Sequence, residues 1–157
     1  MTGGMIVKTV QGNLLDLALS GRFDVIVHGC NCQCRMGKGI ALSIKNQFPE
    51  AYRADLATLP GDRNKLGRFS CAEIVRGTQQ FTIVNAYTQF HWQGTGVIAD
   101  YEAIRLVFGE IKSRFTRCRI GYPKIGAGLA GGDWDIISGI IWEELSGENH
   151  TYVEFIA

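Results

Sequence analysis

The stretch DVIVHGCNCQCRMGKGIALSIKNQFP, residues 24–49, decides the architecture. Its first seven residues, Asp24–Cys30, are a run rich in valine and isoleucine, the pattern of a strand buried on both faces of a parallel sheet. Gly39–Phe48 places Ile40, Ile44 and Phe48 at helical spacing and stops at Pro49, which cannot continue a helix. Between them lies Cys34-Arg35-Met36-Gly37-Lys38-Gly39. A buried strand, a glycine-bearing loop and a helix in that order form the unit of an α/β fold.

The same unit returns further on. Arg117–Tyr122 reads as a strand, Gly126–Gly132 as a second glycine-rich loop, and Asp133 as the cap of a helix. That helix carries Ile136, Ile137, Ile140, Ile141 and Leu145 and closes at Gly147. Around these units, Met5–Val10 and Thr151–Ala157 read as strands and Glu50–Leu59 as a short helix ended by Pro60-Gly61. Arg63–Gly67 reads as an exposed basic turn. Phe69–Arg76 and Gln80–Tyr87 flank Gly77-Thr78 as a hairpin, and Asp100 caps a helix whose core face is Ile104, Val107, Phe108 and Ile111. The expected fold is a three-layer α/β/α arrangement on a mixed sheet of about six strands, in one domain spanning residues 1–157.

Composition narrows the function classes. The 16 Lys and Arg against 15 Asp and Glu leave a formal charge of +1, which argues against a partner held by bulk electrostatics, such as duplex DNA or an anionic membrane. A small polyanion held by local dipoles stays open. With 46% apolar and 20% charged residues the chain is expected to be globular. No 18-residue apolar run is present, so no membrane span is expected. The N-terminal MTGGMIVKTV has no secretory pattern, and five cysteines are an odd number, so reduced thiols in a cytoplasmic setting are expected.

Both glycine loops follow a strand and precede a helix, where free backbone N–H groups and the positive helix end favour an anion. Two such loops can clamp a diphosphate from opposite sides. Neither is a Walker loop, and Gly37-Lys38-Gly39 runs on into Ile40, Ala41 and Leu42, so the dinucleotide fingerprint GxGxxG fails too. His28, Cys30, Cys32 and Cys34 alternate, but on a strand successive members lie about 6.6 Å apart, too far for one tetrahedral ion. Neither metal nor cofactor is expected, and the thiols read as small, soft core residues. Asn31, a polar amide just beyond an apolar strand, either caps the first loop or holds a sugar hydroxyl or water. Tyr87 and Phe90, at another strand end, are candidates to flank a nucleoside, while Trp92 reads as lid packing.

Taken together, HGCNCQCRMGKGIAL at residues 28–42, Phe48-Pro49, and PKIGAGLAGGDW at residues 123–134 resemble a macro domain. Macro domains bind ADP-ribose, and Gln11-Gly12-Asn13-Leu14 is similar to the segment that opens the family's adenosine pocket. The resemblance covers nearly the whole chain and implies a six-stranded mixed sheet between helices. It implies that Asn13 and Leu14 lie by the adenine, with Asn13 standing where most members have Asp. It implies that Asn31 contacts the distal ribose, and that Met36, Gly37, Lys38, Gly39 and Ile40 surround that ribose and the diphosphate. Ile125, Gly126, Ala127, Gly128, Leu129, Ala130 and Gly131 would form the second phosphate loop, and Tyr87, Thr88 and Gln89 would flank the distal ribose.

Two branches are most similar. In the terminal ADP-ribose glycohydrolases and DNA-de-ADP-ribosylating antitoxins a lysine stands where this chain has Gln89, and some carry an acid near the position of Ala130. Glutamine cannot act as that nucleophile. The ADP-ribose-1″-phosphate phosphatases have a histidine at the position of His28. The resemblance therefore implies a phosphatase acting on ADP-ribose-1″-phosphate, with His28 as general acid or base, Asn31 orienting ribose or water, and Asp133 as a second acid/base group or simply a helix cap. The alternatives are hydrolysis of O-acyl esters or of ADP-ribose on protein or nucleic acid, and binding without catalysis.

Overall fold

The computed structural model describes residues 8–94 and 96–156. Six strands form one sheet: β1 Lys8–Gly12, β2 Val25–Asn31, β3 Phe69–Arg76, β4 Gln79–Gln89, β5 Arg119–Tyr122 and β6 Asn149–Phe155. Five helices connect them: α1 Leu14–Leu19, α2 Gly39–Gln47, α3 Pro49–Leu56, α4 Tyr101–Arg114 and α5 Trp134–Glu144. The strand order is β1-β6-β5-β2-β4-β3, with every neighbouring pair parallel except the β3–β4 hairpin. This is a mixed α/β sheet with helices on both faces.

Alternation along β2 builds both cores. Val25 and Val27 pack with Ile104, Phe108, Ile137 and Ile141 from α4 and α5. Ile26 faces the other way, among Leu15, Ile44 and Ala51 from α1, α2 and α3. So β2 feeds a helix on one face, its neighbour β5 feeds a helix on the other, and the crevice between them opens at the carboxyl ends of the strands. That is where open α/β sheets bind ligands. Among the described residues no helix is long and apolar enough to cross a membrane.

The structure departs from the sequence reading in four places. Helix α1 has no long apolar period to announce it; it forms because Asn13 caps it and Leu14, Leu15 and Ala18 are buried. Strand β4 runs two residues beyond Tyr87, and the β2–β4 register shifts between Cys30 and Asn31, leaving Thr88 without a Cα partner on β2. The segment around Arg63 is one tight turn, Arg63–Lys65, and Lys65 is buried: its Nζ donates to Cys32 O at 3.0 Å. Ile136 is half-exposed, because the buried stripe of α5 runs through Ile137, Ile140 and Ile141 and Ile136 lies at its edge. Met5–Val7 and Ala157, read as parts of the terminal strands, lie outside the described residues.

Candidate functional site

The two glycine loops leave adjacent strands and converge. They border a cavity of about 660 Å³ over the carboxyl ends of β2, β5 and β6. The first loop is folded by Asn31, the last residue of β2. Its Oδ1 accepts from Gln33 N at 2.9 Å and Arg35 N at 3.3 Å, and its Nδ2 donates to Arg35 O at 2.8 Å. Asn31 thus caps the loop and also lines the cavity. Cys34 takes a left-handed backbone (φ 58°), and its thiol donates to Asp55 O at 3.2 Å, pinning the loop to the end of α3.

This loop runs into α2 at Lys38, whose side chain makes no capping bond. The first-turn N–H groups of Gly39, Ile40 and Ala41 have no acceptor among the described residues, and these residues line the cavity. Free amides at the positive end of a helix are an anion site. Helix α5 behaves differently. Asp133 Oδ1 accepts from Asp135 N at 2.9 Å and Ile136 N at 3.5 Å, so its N-terminus is already satisfied.

The second loop therefore offers its own backbone. Gly132 N donates to Gly126 O at 2.7 Å and Gly131 N to Gly128 O at 3.1 Å. A Cβ on Gly132 would stand 2.5 Å from Gly126 O, so the closure demands glycine. The N–H groups of Gly126, Gly128, Leu129 and Ala130 take no part in hydrogen bonds among the described residues.

Of the sequence candidates, Asn31, Gly37, Lys38, Gly39, Ile40, Gln89, Ile125, Gly126, Gly128, Leu129 and Ala130 line this cavity together. Several others do not. Met36 is buried in the core under α2, and Ala127 and Gly131 shape the second loop from behind. Asn13 spends its side-chain oxygen on Leu15 N and Asp16 N as the cap of α1, and Leu14 is buried beside it. Thr88 is wholly buried beneath Gly29, with its hydroxyl unpartnered. Tyr87, expected at the ribose, points into the interior instead, because β4 alternation puts it on the α3 side. Asn85 Nδ2 donates to Ser70 Oγ, which leaves the Ser70 hydroxyl to donate to Tyr87 Oη at 2.8 Å, and Tyr87 donates to Asp55 Oδ1 at 2.7 Å. Burial pushes the Tyr87 phenol and the Asp55 carboxyl up, the latter against the lowering effect of the Tyr87 bond.

Both acid/base candidates are displaced from the cavity. His28 is 1% exposed on the α3 side of β2 and does not line the cavity. Since Asn85 Nδ2 donates to Ala51 O and Ser70 Oγ, its Oδ1 must accept, and His28 Nε2–H is the donor at 2.7 Å. Burial pushes the imidazole down to about 4, although the Asn85 bond works the other way, so it is neutral at pH 7. Asp133 is exposed as the α5 cap. Asp133→Ala is expected to cost about 1 kcal/mol of stability and to leave ligand binding unchanged, as denaturant unfolding and calorimetry would report.

The sequence reading missed the two ends of the cavity. At the β6 end stands Phe155, a lining residue that is 68% exposed. At the β2 end Arg35 lies over the Trp92 ring, 4.5 Å from its centroid, and both line the cavity. His91 stacks on Trp92 at 4.0 Å, and Gln89 Nε2 donates to His91 O at 2.8 Å. An exposed aromatic at a strand terminus was the available signal for Phe155; nothing in the sequence paired Arg35 with Trp92.

No family model matches the chain. An uncharacterized 17.5 kDa protein of Enterobacteria phage T4 is 37% identical over 142 residues, covering 87% of this chain and 88% of its own. The DNA ADP-ribosyl glycohydrolase of Thermus aquaticus is 27% identical over 143 residues, 89% of this chain but only 38% of that protein. The ADP-ribose 1″-phosphate phosphatase of Ajellomyces capsulatus is 46% identical over 48 residues, 31% of this chain and 18% of the phosphatase. Among solved structures, the macrodomain of Thermus aquaticus DarG superposes with a TM-score of 0.76 at 27% identity, covering 95% of this chain and 97% of that one. The Trypanosoma brucei macrodomain in complex with ADP-ribose shares the fold at 16% identity, with a TM-score of 0.68 over 99% of this chain and 67% of that one. By its strand order, its paired glycine loops and these relatives, the chain belongs to the macro domain family.

Proposed function

We propose that the cavity binds ADP-ribose and that the chain hydrolyses the substituent on the distal ribose, with ADP-ribose-1″-phosphate as substrate. One observation carries this reading: the residues whose backbone amides are free, at the start of α2 and in the second loop, line one cavity of about 660 Å³. It has an exposed aromatic ring at one end and a guanidinium at the other. The adenine lies on Phe155, the pyrophosphate between the two loops, and the distal ribose near Asn31 and Gln89. The 1″-phosphate meets Arg35, whose charge is held over the Trp92 face.

Hydrolysis forms a bond from water oxygen to phosphorus and breaks the bond from phosphorus to the 1″-oxygen, which leaves with a proton. Arg35 neutralises the phosphoryl oxygens, and the Gln89 amide, fixed by His91 O, orients the ribose or the water. His28 takes no part. The described lining residues include no imidazole or carboxylate at this end, so the proton comes from solvent or from the substrate phosphate.

A second reading is hydrolysis of ADP-ribose from a macromolecule. The similarity to the Thermus glycohydrolase runs over 89% of this chain, and Trp92 is 37% exposed where such a substituent would emerge. Calorimetry with ADP-ribose, ATP, NAD and AMP tests the ligand class: ADP-ribose is expected to bind at least tenfold more tightly. Arg35→Ala is expected to reduce phosphate release from ADP-ribose-1″-phosphate by about 10²-fold, the size of one lost oxyanion contact, with ADP-ribose affinity changed less than threefold. Release of no phosphate by wild-type protein that binds ADP-ribose removes the phosphatase and leaves the binding module.

A further inference from the structure

The charges along the cavity are unevenly placed. Arg35, Lys38 and Lys124 line it on the two loops, while Glu154 is the one carboxylate among its described lining residues and stands at the β6 end beside Phe155. A carboxylate next to a diphosphate site repels the ligand unless it meets a hydrogen-bond donor. Glu154 is also held in place. It lies opposite Gln11 in the β1–β6 register, and its Oε1 accepts from Gln11 Nε2 at 3.1 Å. Its Oε2 has no partner among the described residues. The other polar side chain near this end, Asn13, has its amide oxygen committed to Leu15 N and Asp16 N.

We propose that Glu154 is the base-specificity residue of this site: its free oxygen accepts from the exocyclic amino group of adenine, with Gln11 as the positioning residue. This rests on the ADP-ribose reading above. An amino group donates to the carboxylate, whereas hypoxanthine or guanine puts a carbonyl oxygen there, acceptor against anion. The site therefore takes ADP-ribose and rejects the hypoxanthine and guanine analogues. The same polarity sets ligand direction, with the amino-bearing base at β6 and the phosphates at the cationic loops.

The test is calorimetry of the whole chain with ADP-ribose and with its hypoxanthine analogue, IDP-ribose. Wild-type protein is expected to prefer ADP-ribose by about tenfold, the scale of one hydrogen bond to a charged group. In Glu154→Gln, whose amide can present either a donor or an acceptor, the ratio is expected to fall to within twofold, with IDP-ribose binding more tightly than to wild type. In Gln11→Ala the ratio is expected to fall partway, since the carboxylate remains but turns freely. A tenfold preference that survives in Glu154→Gln overturns the assignment. Equal binding of both ligands by wild-type protein overturns it too, while leaving the ADP-ribose reading intact. Binding of neither ligand overturns the ADP-ribose reading and this one with it.

Discussion

Gly128→Val is expected to abolish ADP-ribose binding, with an affinity loss of 100-fold or more, while the protein unfolds at an unchanged temperature. Gly128 has no left-handed backbone to protect, and no protein atom lies within 4 Å of the Cβ a side chain would add. A side chain at this position therefore starts in open space, and surface changes of that kind usually stay within about 0.5 kcal/mol. Yet Gly128 lines the cavity and its N–H takes no part in hydrogen bonds among the described residues. On the proposed ADP-ribose reading, what glycine protects there is the approach of the diphosphate. A valine side chain would fill the phosphate position and deny the ligand two charge-assisted amide bonds, about 1.5–3 kcal/mol each, hence two decades or more in affinity. Gly132→Ala makes the contrast: its Cβ would meet Gly126 O at 2.5 Å, so binding and unfolding temperature are expected to fall together. Calorimetry paired with thermal unfolding separates the two variants. Wild-type affinity in Gly128→Val would place the ligand elsewhere.

Much of this site can be read from residues 24–49 and 117–147 because both segments carry their own local instructions. Continuous Val and Ile demand burial on both faces, Pro49 and Gly147 end helices, and glycine runs mark where the backbone must open. Adjacency of the two loops follows from strand order, and the order β5-β2-β4 places them side by side. What escaped the sequence is set by side-chain direction and by contacts distant in sequence. The register shift beside Thr88 is invisible in a run of apolar residues, and it governs where Gln89 emerges. Tyr87 and His28 look like cleft residues because they sit near strand ends, but alternation aims both at the α3 side. Lys65 looks like a solvated basic residue and is instead buried over the Tyr87 ring, 4.7 Å from its centroid. Arg35 and Trp92 are far apart in sequence, and only the closed fold brings them together. The loops were legible as backbone; the side chains at the two ends of the cavity, Phe155 at one and Arg35 with Trp92 at the other, were not.

Acidification from pH 6.5 to 4 is expected to destabilise the wild-type fold by roughly 3 kcal/mol more than it destabilises His28→Gln. His28 sits at about 4 in the folded protein against about 6.5 unfolded, and each unit of difference is worth about 1.4 kcal/mol. Between those values the unfolded chain binds more protons, so stability rises with pH across the window. The contribution is intact above pH 6.5 and is lost as pH falls through 4. Protonation would have to occur at Nδ1, since Nε2 already donates to Asn85, and among the described residues the one polar side-chain atom recorded against Nδ1 is the Cys30 thiol at 3.7 Å, which lies 3.4 Å from Nε2. His150, held down by burial, adds to the slope, and Asp55, pushed up by burial, opposes it. Both cancel in the comparison with His28→Gln, because Gln can keep a donor toward Asn85 and does not titrate. Urea unfolding at pH 4, 5, 6 and 7 reads the difference directly; parallel curves would show that His28 is not held neutral. The same variant decides the chemistry. A residue enclosed by Asn85, Cys30 and the α3 side of the sheet touches no ligand, so phosphate release by folded His28→Gln is expected to remain within a few-fold of wild type at pH 7. A loss of 100-fold at unchanged stability would return the imidazole to the reaction and require β2 to open.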